Sequence, residues 1–163
     1  MEIGPATPPT VPAGRDVGGA PPGNSLGAVR SAVIVVASIV LAGVFAVSGS
    51  AKARDVAGTT SAAAALGVPA AIARLVARLL PVVELALAAA LLVGLLISAL
   101  RRVAAVGSLL FLATFSVAMA RTLRRGQAPV CRCFGSFSER PISADTIIRN
   151  VALAALAVVS AIG

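Results

Sequence analysis

The chain has 163 residues, of which 58% are hydrophobic and only 12% are charged, and its mean hydropathy is +0.99. Soluble domains average about 25% charged residues, so this composition argues against a water-soluble fold. The net charge is +8, but the basic residues are scattered and no Tyr or Trp is present to stack on bases, which argues against nucleic-acid binding. Because the chain has no histidine, hydrolytic triads built on that residue are excluded.

Long apolar runs rich in Ala and Leu predict an all-α fold, an integral membrane four-helix bundle, because backbone groups that face lipid must be hydrogen-bonded internally. Residues 1–28 are rich in Pro and Gly and are predicted to form a disordered tail. Residues 29–163 are predicted to form the transmembrane domain. Its first span is expected over residues 31–51, which carry no charge and match the roughly 20 residues that cross the hydrocarbon layer.

The connection over residues 55–80 is predicted to include a short amphipathic helix at the membrane interface. Arg74 and Arg78 are four residues apart, so they share one face of a helix and would reach toward lipid head groups. The second span is predicted over residues 79–100, ended by the pair Arg101-Arg102.

The third span is predicted over residues 103–121 and the fourth over residues 144–163, with Ser143 as its N-cap. The last span is short and contains Arg149 and Asn150. Four spans would place both termini on one side of the membrane.

The only two cysteines, Cys131 and Cys133, lie one residue apart in the polar connection before the fourth span. Two thiolates without histidine leave a tetrahedral metal ion two ligands short, so no metal site is predicted. Structural cysteines usually lie inside apolar helices, which leaves a redox pair as the favoured interpretation. A disulfide over this spacing would be strained and easily reduced. Arg132 would favour the thiolate, Gly135 would allow a turn, and Phe134 would hold the loop against the bilayer.

Four motifs resemble the methylamine-utilisation MauE family, which is related to DoxX-type four-helix membrane proteins. In chain order they are Ser48-Gly49-Ser50-Ala51-Lys52, Leu80-Pro81-Val82-Val83-Glu84, Cys131-Arg132-Cys133-Phe134-Gly135, and Ile142-Ser143 leading to Arg149-Asn150. The resemblance covers about residues 30–162. It implies a membrane protein that assists maturation of an exported, disulfide-rich partner alongside a thioredoxin-like helper. In the family's namesake that partner is the small subunit of methylamine dehydrogenase, and these motifs do not carry the namesake substrate over to this chain.

Glu84 is an ionisable residue inside a predicted span and is expected to face the bundle interior beside a partner. Two interpretations stay open: a buried ion pair with Lys52, Arg78 or Arg149 that joins helices, and an acceptor for the proton released when a thiol reacts. Lys52 and Arg149 are alternatively interface anchors. Asn150 is expected to bridge helices by hydrogen bonds.

The predicted function is thiol–disulfide exchange by Cys131 and Cys133 with a thioredoxin-like partner. A single pair cannot relay electrons within the chain, so they would pass to a membrane quinone or to a second protein, and no cofactor is identified. One alternative is a small-solute transporter or channel subunit that uses Glu84, Lys52 and Arg149. Another is a non-catalytic scaffold that packs its small-residue faces on partner helices.

The expected location is the cell membrane, with several spans. The face that carries the first and third connections holds ten of the 14 Lys and Arg residues, so the positive-inside rule would place the cysteines in the cytoplasm. Disulfide chemistry requires an oxidising exterior instead. On functional grounds, the cysteine loop is expected to lie outside the cytoplasm.

Overall fold

The computed structural model describes residues 23–126 and 144–162, and within these ranges the chain forms five helices and no strand. In chain order they are α1 (Gly23–Arg54), α2 (Val56–Ala65), α3 (Ala70–Val93), α4 (Ser98–Arg124) and α5 (Ala144–Ile162). Four of them are long and apolar enough to cross a membrane, over Ser25–Arg54, Ala70–Val93, Ser98–Arg124 and Asp145–Ile162. The predicted all-α fold with four spans and a short helix between the first two is confirmed.

The four long helices run alternately up and down. Lys52, near the end of α1, contacts Glu84 of α3, and Asn150, near the start of α5, contacts Ser116 in the second half of α4. The start of α1 lies beside the end of α5, because Arg30 donates to the Ile162 carbonyl. We call the end where α1 and α4 finish and α3 and α5 begin the basic end, and the other end the far end.

The short helix α2 lies at the basic end and packs mainly on α3. Asp55 begins it by accepting a hydrogen bond of 2.8 Å from the Gly58 N–H, which satisfies one of the free donors of the first turn. Leu66, just after α2, packs on Met119 of α4. The helix itself is built from Ala, Gly, Thr, Ser and Val, so the two arginines predicted to lie on an interfacial helix are not part of it.

The boundaries of the first three spans differ from those predicted. The described part of α1 extends from Gly23, inside the predicted tail, to Arg54, beyond the predicted end at residue 51. Arg74 and Arg78 lie in the first turns of α3, which continues through Pro81 and ends at Val93. Arg101 and Arg102 therefore belong to α4 instead of ending the second span.

The turn between α3 and α4 is apolar, Gly94-Leu95-Leu96-Ile97, and carries no polar turn residue. Its backbone donors are satisfied by the last turn of α3, with Gly94 N bonded to Ala90 O at 2.8 Å and Leu96 N bonded to Val93 O at 3.0 Å. A side chain at Gly94 would lie only 2.6 Å from the Cα of Arg101. Glycine is thus what lets the two helices meet so closely.

The core lies between α1, α3, α4 and α5 and combines a few large residues with many alanines. Phe45 of α1 packs edge-on against Phe111 of α4, with ring centroids 5.7 Å apart. Leu41 and Leu91 are fully buried beside them. Small residues at the contacts allow close helix packing, which is the main source of helix association in lipid.

Candidate functional site

A buried ion pair joins α1 to α3 near the basic end. Lys52 Nζ lies 2.5 Å from Glu84 Oε1, and the exposed fractions of the two residues are 5% and 2%. Lys52 Nζ also donates to Ser48 Oγ at 2.5 Å, and the Ser48 hydroxyl hydrogen-bonds the Glu84 carboxylate. Of the three partners that the sequence suggested for Glu84, the structure brings Lys52 to it.

Local helix geometry explains how these groups meet. Ser48 and Lys52 are four residues apart on α1 and therefore lie on the same face. Glu84 lies on the buried face of α3, one turn after Pro81. Gly49 allows the close approach, because a Cβ at this position would lie 3.0 Å from Leu85 Cγ and 3.1 Å from both Glu84 Cβ and the Pro81 carbonyl oxygen. The Ser48–Lys52 motif on α1 and the Leu80–Glu84 motif on α3, both part of the resemblance to MauE, thus contact each other directly.

The Glu84 carboxylate is only partly satisfied, because its two oxygens have different surroundings. Glu84 Oε2 is buried and has no hydrogen-bond partner among the described residues. A charge pair removed from water gains stability from its mutual attraction but loses hydration, so an unmatched oxygen weakens the balance. The site can therefore hold two helices together, and it offers one buried acceptor that the described helices leave unused.

Asn150 and Arg149 occupy the same end of the bundle but are not part of the ion pair. Asn150 Nδ2 donates to Ser116 Oγ at 3.3 Å and so bridges α5 and α4. Arg149 is exposed on the first half of α5. Arg78, also suggested as a partner of Glu84, is exposed on α3.

The arginine contacts at the far end were missed by sequence reasoning. Arg101 is 6% exposed and its Nη1 donates to the Ser160 carbonyl, while Arg30 Nη2 donates to the Ile162 carbonyl at 3.1 Å. The last carbonyls of a helix lack partners within it and carry partial negative charge. Both arginines cap the end of α5. For Arg101, the only sequence signal of this role was a basic residue four positions after the end of an apolar turn.

Five of the candidate residues, Cys131, Arg132, Cys133, Phe134 and Gly135, lie outside the described residues, as does the predicted N-cap Ser143. Their connection joins Gly126, just after α4, to Ala144, the first residue of α5. Both flanking positions belong to the basic end, where the Lys52–Glu84 pair also lies.

The family model described as methylamine utilisation protein MauE matches residues 30–163 of the chain. This chain belongs to the MauE family. A curated relative, the methylamine utilization protein MauE of Paracoccus denitrificans, is 40% identical over 91 residues. That alignment covers 55% of this chain and 47% of the relative, so the chain spans about half the length of the relative it matches. No solved structure matches the chain.

Membership of the MauE family and four candidate spans together make this chain a multi-pass membrane protein. The match covers α1 from residue 30 onward, including the Ser48–Lys52 motif, as well as the helices that contact it. The ion pair is therefore a feature of the family-matched region and not of the preceding tail.

Proposed function

We propose that this MauE-family chain is a membrane thiol–disulfide exchange protein that assists disulfide formation in an exported partner, together with a thioredoxin-like helper. The observation that carries the proposal is the Cys131-Arg132-Cys133 sequence within a family-matched membrane protein that has no other cysteine. Two thiols at this spacing form a strained and easily exchanged disulfide. Their adjacent arginine favours the reactive thiolate.

The exchange requires a defined flow of electrons. A thiolate of the partner attacks one sulfur of the Cys131–Cys133 disulfide, forming a mixed disulfide and releasing the other cysteine as a thiolate. A second partner thiolate then attacks the mixed disulfide, which leaves the partner oxidised and this chain as a dithiol. Regeneration removes two electrons and two protons from the dithiol. They pass to a membrane quinone, which becomes the quinol, or to the disulfide of a second protein.

The described helices supply a rigid frame for such a connection. The helix before it, α4, and the helix after it, α5, are joined by the Asn150–Ser116 hydrogen bond. At the same end the Lys52–Glu84 pair joins α1 and α3. We propose that these contacts hold the ends of the cysteine connection at a fixed separation, which would preserve the strain that makes its disulfide exchangeable.

Trapping of mixed disulfides tests the exchange. The variants Cys131→Ser and Cys133→Ser, each expressed in the membrane under mild oxidation, should each leave one thiol able to form a covalent complex with a partner but unable to resolve it. The complex should disappear on reduction and should be absent from the double variant. Failure of both single variants to form any covalent complex would contradict the proposal.

We also propose that the cysteine connection faces the exterior of the cell, because cytosolic thiols are kept reduced. The distribution of charge opposes this placement: most of the described cations lie at the basic end, namely Lys52, Arg54, Arg74, Arg78, Arg121, Arg124, Arg125 and Arg149. A membrane-impermeant maleimide applied to intact cells should label the reduced cysteines. Labelling only after lysis would place them in the cytoplasm and overturn this orientation.

A small-solute path through Glu84 is the second candidate, and one observation favours it: Glu84 Oε2 is a buried acceptor without a partner among the described residues. The close contacts of Gly49 with Pro81, Glu84 and Leu85 oppose an open path at this level. The two functions respond differently to substitution. A transporter keeps its activity in the Cys131→Ser, Cys133→Ser double variant and loses it in Glu84→Gln, whereas an exchange protein loses activity in the double variant.

A further inference from the structure

The last two turns of α1 carry two pairs of polar residues that face different surroundings. Ser48 and Lys52 turn toward α3 and are bonded to each other and to Glu84. Ser50 and Arg54 are also four residues apart, but they line a cavity of about 300 Å³ on another face of α1. Among the described residues, Ala46, Val47 and Ala51 also line it. We call this cavity the α1 slot.

The Ser50 hydroxyl of the α1 slot differs from several other hydroxyls of the bundle. Several other hydroxyls in the spans, such as those of Ser38, Ser108 and Ser116, donate to the carbonyl four residues earlier. Ser50 makes no such bond, and within the described part of the chain neither its hydroxyl nor the Arg54 guanidinium has a hydrogen-bond partner. A hydroxyl in a membrane span is costly without a partner. Ser50 and Arg54 therefore offer hydrogen-bond donors to a group that the described helices do not supply.

The α1 slot is polar at one end and apolar at the other. Arg54 is the last residue of α1, at the level where the span ends. Ala46 lies eight residues earlier, about 12 Å deeper along the helix. Val47, which lies beside Ala46, is 55% exposed on the surface that faces lipid. The matching ligand is an amphiphile with an anionic head at the membrane surface and an apolar chain that extends toward the bilayer centre.

We propose that the α1 slot binds one anionic phospholipid, with its phosphate on Arg54 and Ser50 and one acyl chain along Val47 and Ala46. An arginine fork pairs with two phosphate oxygens at once, and the Ser50 hydroxyl donates to the same phosphate. Neighbouring exposed arginines of α3 and α4 raise the positive potential at the basic end and favour anionic lipids over neutral ones. The proposal is argued from residues of α1 and does not rest on the proposed exchange reaction.

The test measures lipid retention by the full chain. The protein is reconstituted in nanodiscs of equal parts phosphatidylcholine and phosphatidylglycerol, released, and its bound lipid is counted by native mass spectrometry. The wild-type chain should retain one phosphatidylglycerol. Arg54→Gln should weaken that retention by at least about tenfold, because hydrogen bonds to charged groups are among the stronger ones, and Ser50→Ala should weaken it by a few-fold. Arg124→Gln, which removes one of the exposed arginines that only raise the positive potential at the same end, should weaken retention far less than Arg54→Gln does.

Two further variants separate a specific site from general attraction. Val47→Phe fills the apolar part of the slot without touching its charge and should displace the lipid. Arg54→Lys keeps the positive charge but cannot pair with two phosphate oxygens at once. This variant should fold as the wild-type does and should retain an amount of lipid between those of the wild-type and Arg54→Gln. The proposal is overturned if Arg54→Gln retains lipid normally, if Arg124→Gln loses as much as Arg54→Gln, or if Val47→Phe leaves retention intact. It is also overturned if Val47→Phe converts a dimer to a monomer without altering lipid retention, because the slot would then be filled by a second copy of the chain.

Discussion

Lys52 and Glu84 carry opposite charges in the interior of the bundle, where each depends on the other for stability. Removing one partner leaves an uncompensated charge at a site with 5% or less exposure. We expect Lys52→Met or Glu84→Leu alone to lower the free energy of unfolding by about 3–5 kcal/mol, as for other broken buried pairs. Unfolding of the purified chain in detergent, followed by circular dichroism, measures the loss.

The double variant Lys52→Met, Glu84→Leu is the matched control for the ion pair. It removes both charges and fills the space with apolar groups, which often preserves the stability of a buried pair. We therefore expect it to be more stable than either single variant, with a clear coupling energy in the double-mutant cycle. Additive losses would mean that the two side chains contribute independently and that their contact does not join the helices.

Two glycines of α1 provide a second comparison at the scale of single residues. A Cβ at Gly49 would lie 3.0–3.1 Å from atoms of α3, whereas a Cβ at Gly43 would have no neighbour within 4 Å. We expect Gly49→Val to separate α1 from α3 and to lower the melting temperature strongly. Gly43→Ala should be neutral or stabilising by about 1 kcal/mol or less, because alanine favours the helix. Equal melting temperatures for both variants would exclude a tight α1–α3 contact.

The sequence predicted that Glu84 would be buried beside a cation but offered three partners for it. Burial could be predicted because an isolated carboxylate inside a span is costly. The partner could not, because spacing along the chain does not specify which helices are neighbours. Gly49 decides this by allowing α1 and α3 to approach closely, which brings Lys52 to the carboxylate and leaves Arg78 exposed. The roles of Cys131 and Cys133 stay predictions.

At the scale of helices, the number and type of the spans could be predicted from apolar runs, but several of their ends could not. Charged pairs normally mark the end of a span, so the sequence predicts that Arg101 and Arg102 follow the second helix. Arg101 instead lies inside α4, because the end of α5 supplies carbonyl acceptors for its guanidinium. The turn before it, over residues 94–97, has no polar residue that would have marked it. Tertiary contact overrides the local signal at this position.

The capping of α5 leads to a prediction about one helix end. Arg101 donates to the Ser160 carbonyl, and its neighbour Arg102 is exposed. We expect Arg101→Gln to loosen the last turn of α5. Glutamine is shorter than arginine and carries no charge, so it loses the hydrogen bond to the Ser160 carbonyl that caps the helix. Hydrogen–deuterium exchange should increase at residues 158–162. Arg102→Gln, which has the same change in charge, should leave that exchange unaltered, and an equal increase in both variants would mean that the capping contact is unimportant.

At the scale of the whole molecule, charge is distributed unevenly between the two ends. The far end has Arg30, Arg101 and Arg102 among the described cations, and two of these are bonded to carbonyls of α5. The basic end has all the others, and they include the exposed arginines of α3 and α4. An asymmetry of this kind normally fixes the orientation of a membrane protein. The orientation proposed for the cysteines therefore requires that the bundle be inserted against this charge bias.

Labelling at both ends of α4 tests the topology of the bundle without assuming which side is outside. Leu96 is 89% exposed in the turn before α4, and Arg124 is exposed at its last residue. The helix between them is about 40 Å long at 1.5 Å per residue, more than the roughly 30 Å of hydrocarbon. In a background that carries Cys131→Ser and Cys133→Ser, we expect Leu96→Cys and Arg124→Cys to react with an impermeant maleimide from opposite sides of the membrane.

The same labelling also determines the orientation of the native cysteines. Arg124 and the connection over residues 127–143 follow each other in the chain, so Arg124→Cys should react from the same side as the native pair. If Arg124→Cys is labelled in intact cells, the basic end lies outside and the proposed exchange can take place there. If Leu96→Cys is labelled instead, the basic end lies in the cytoplasm, where reduced thiols cannot supply disulfides to an exported partner. Labelling of both variants from one side would mean that α4 does not cross the membrane, which would contradict the four-span fold itself.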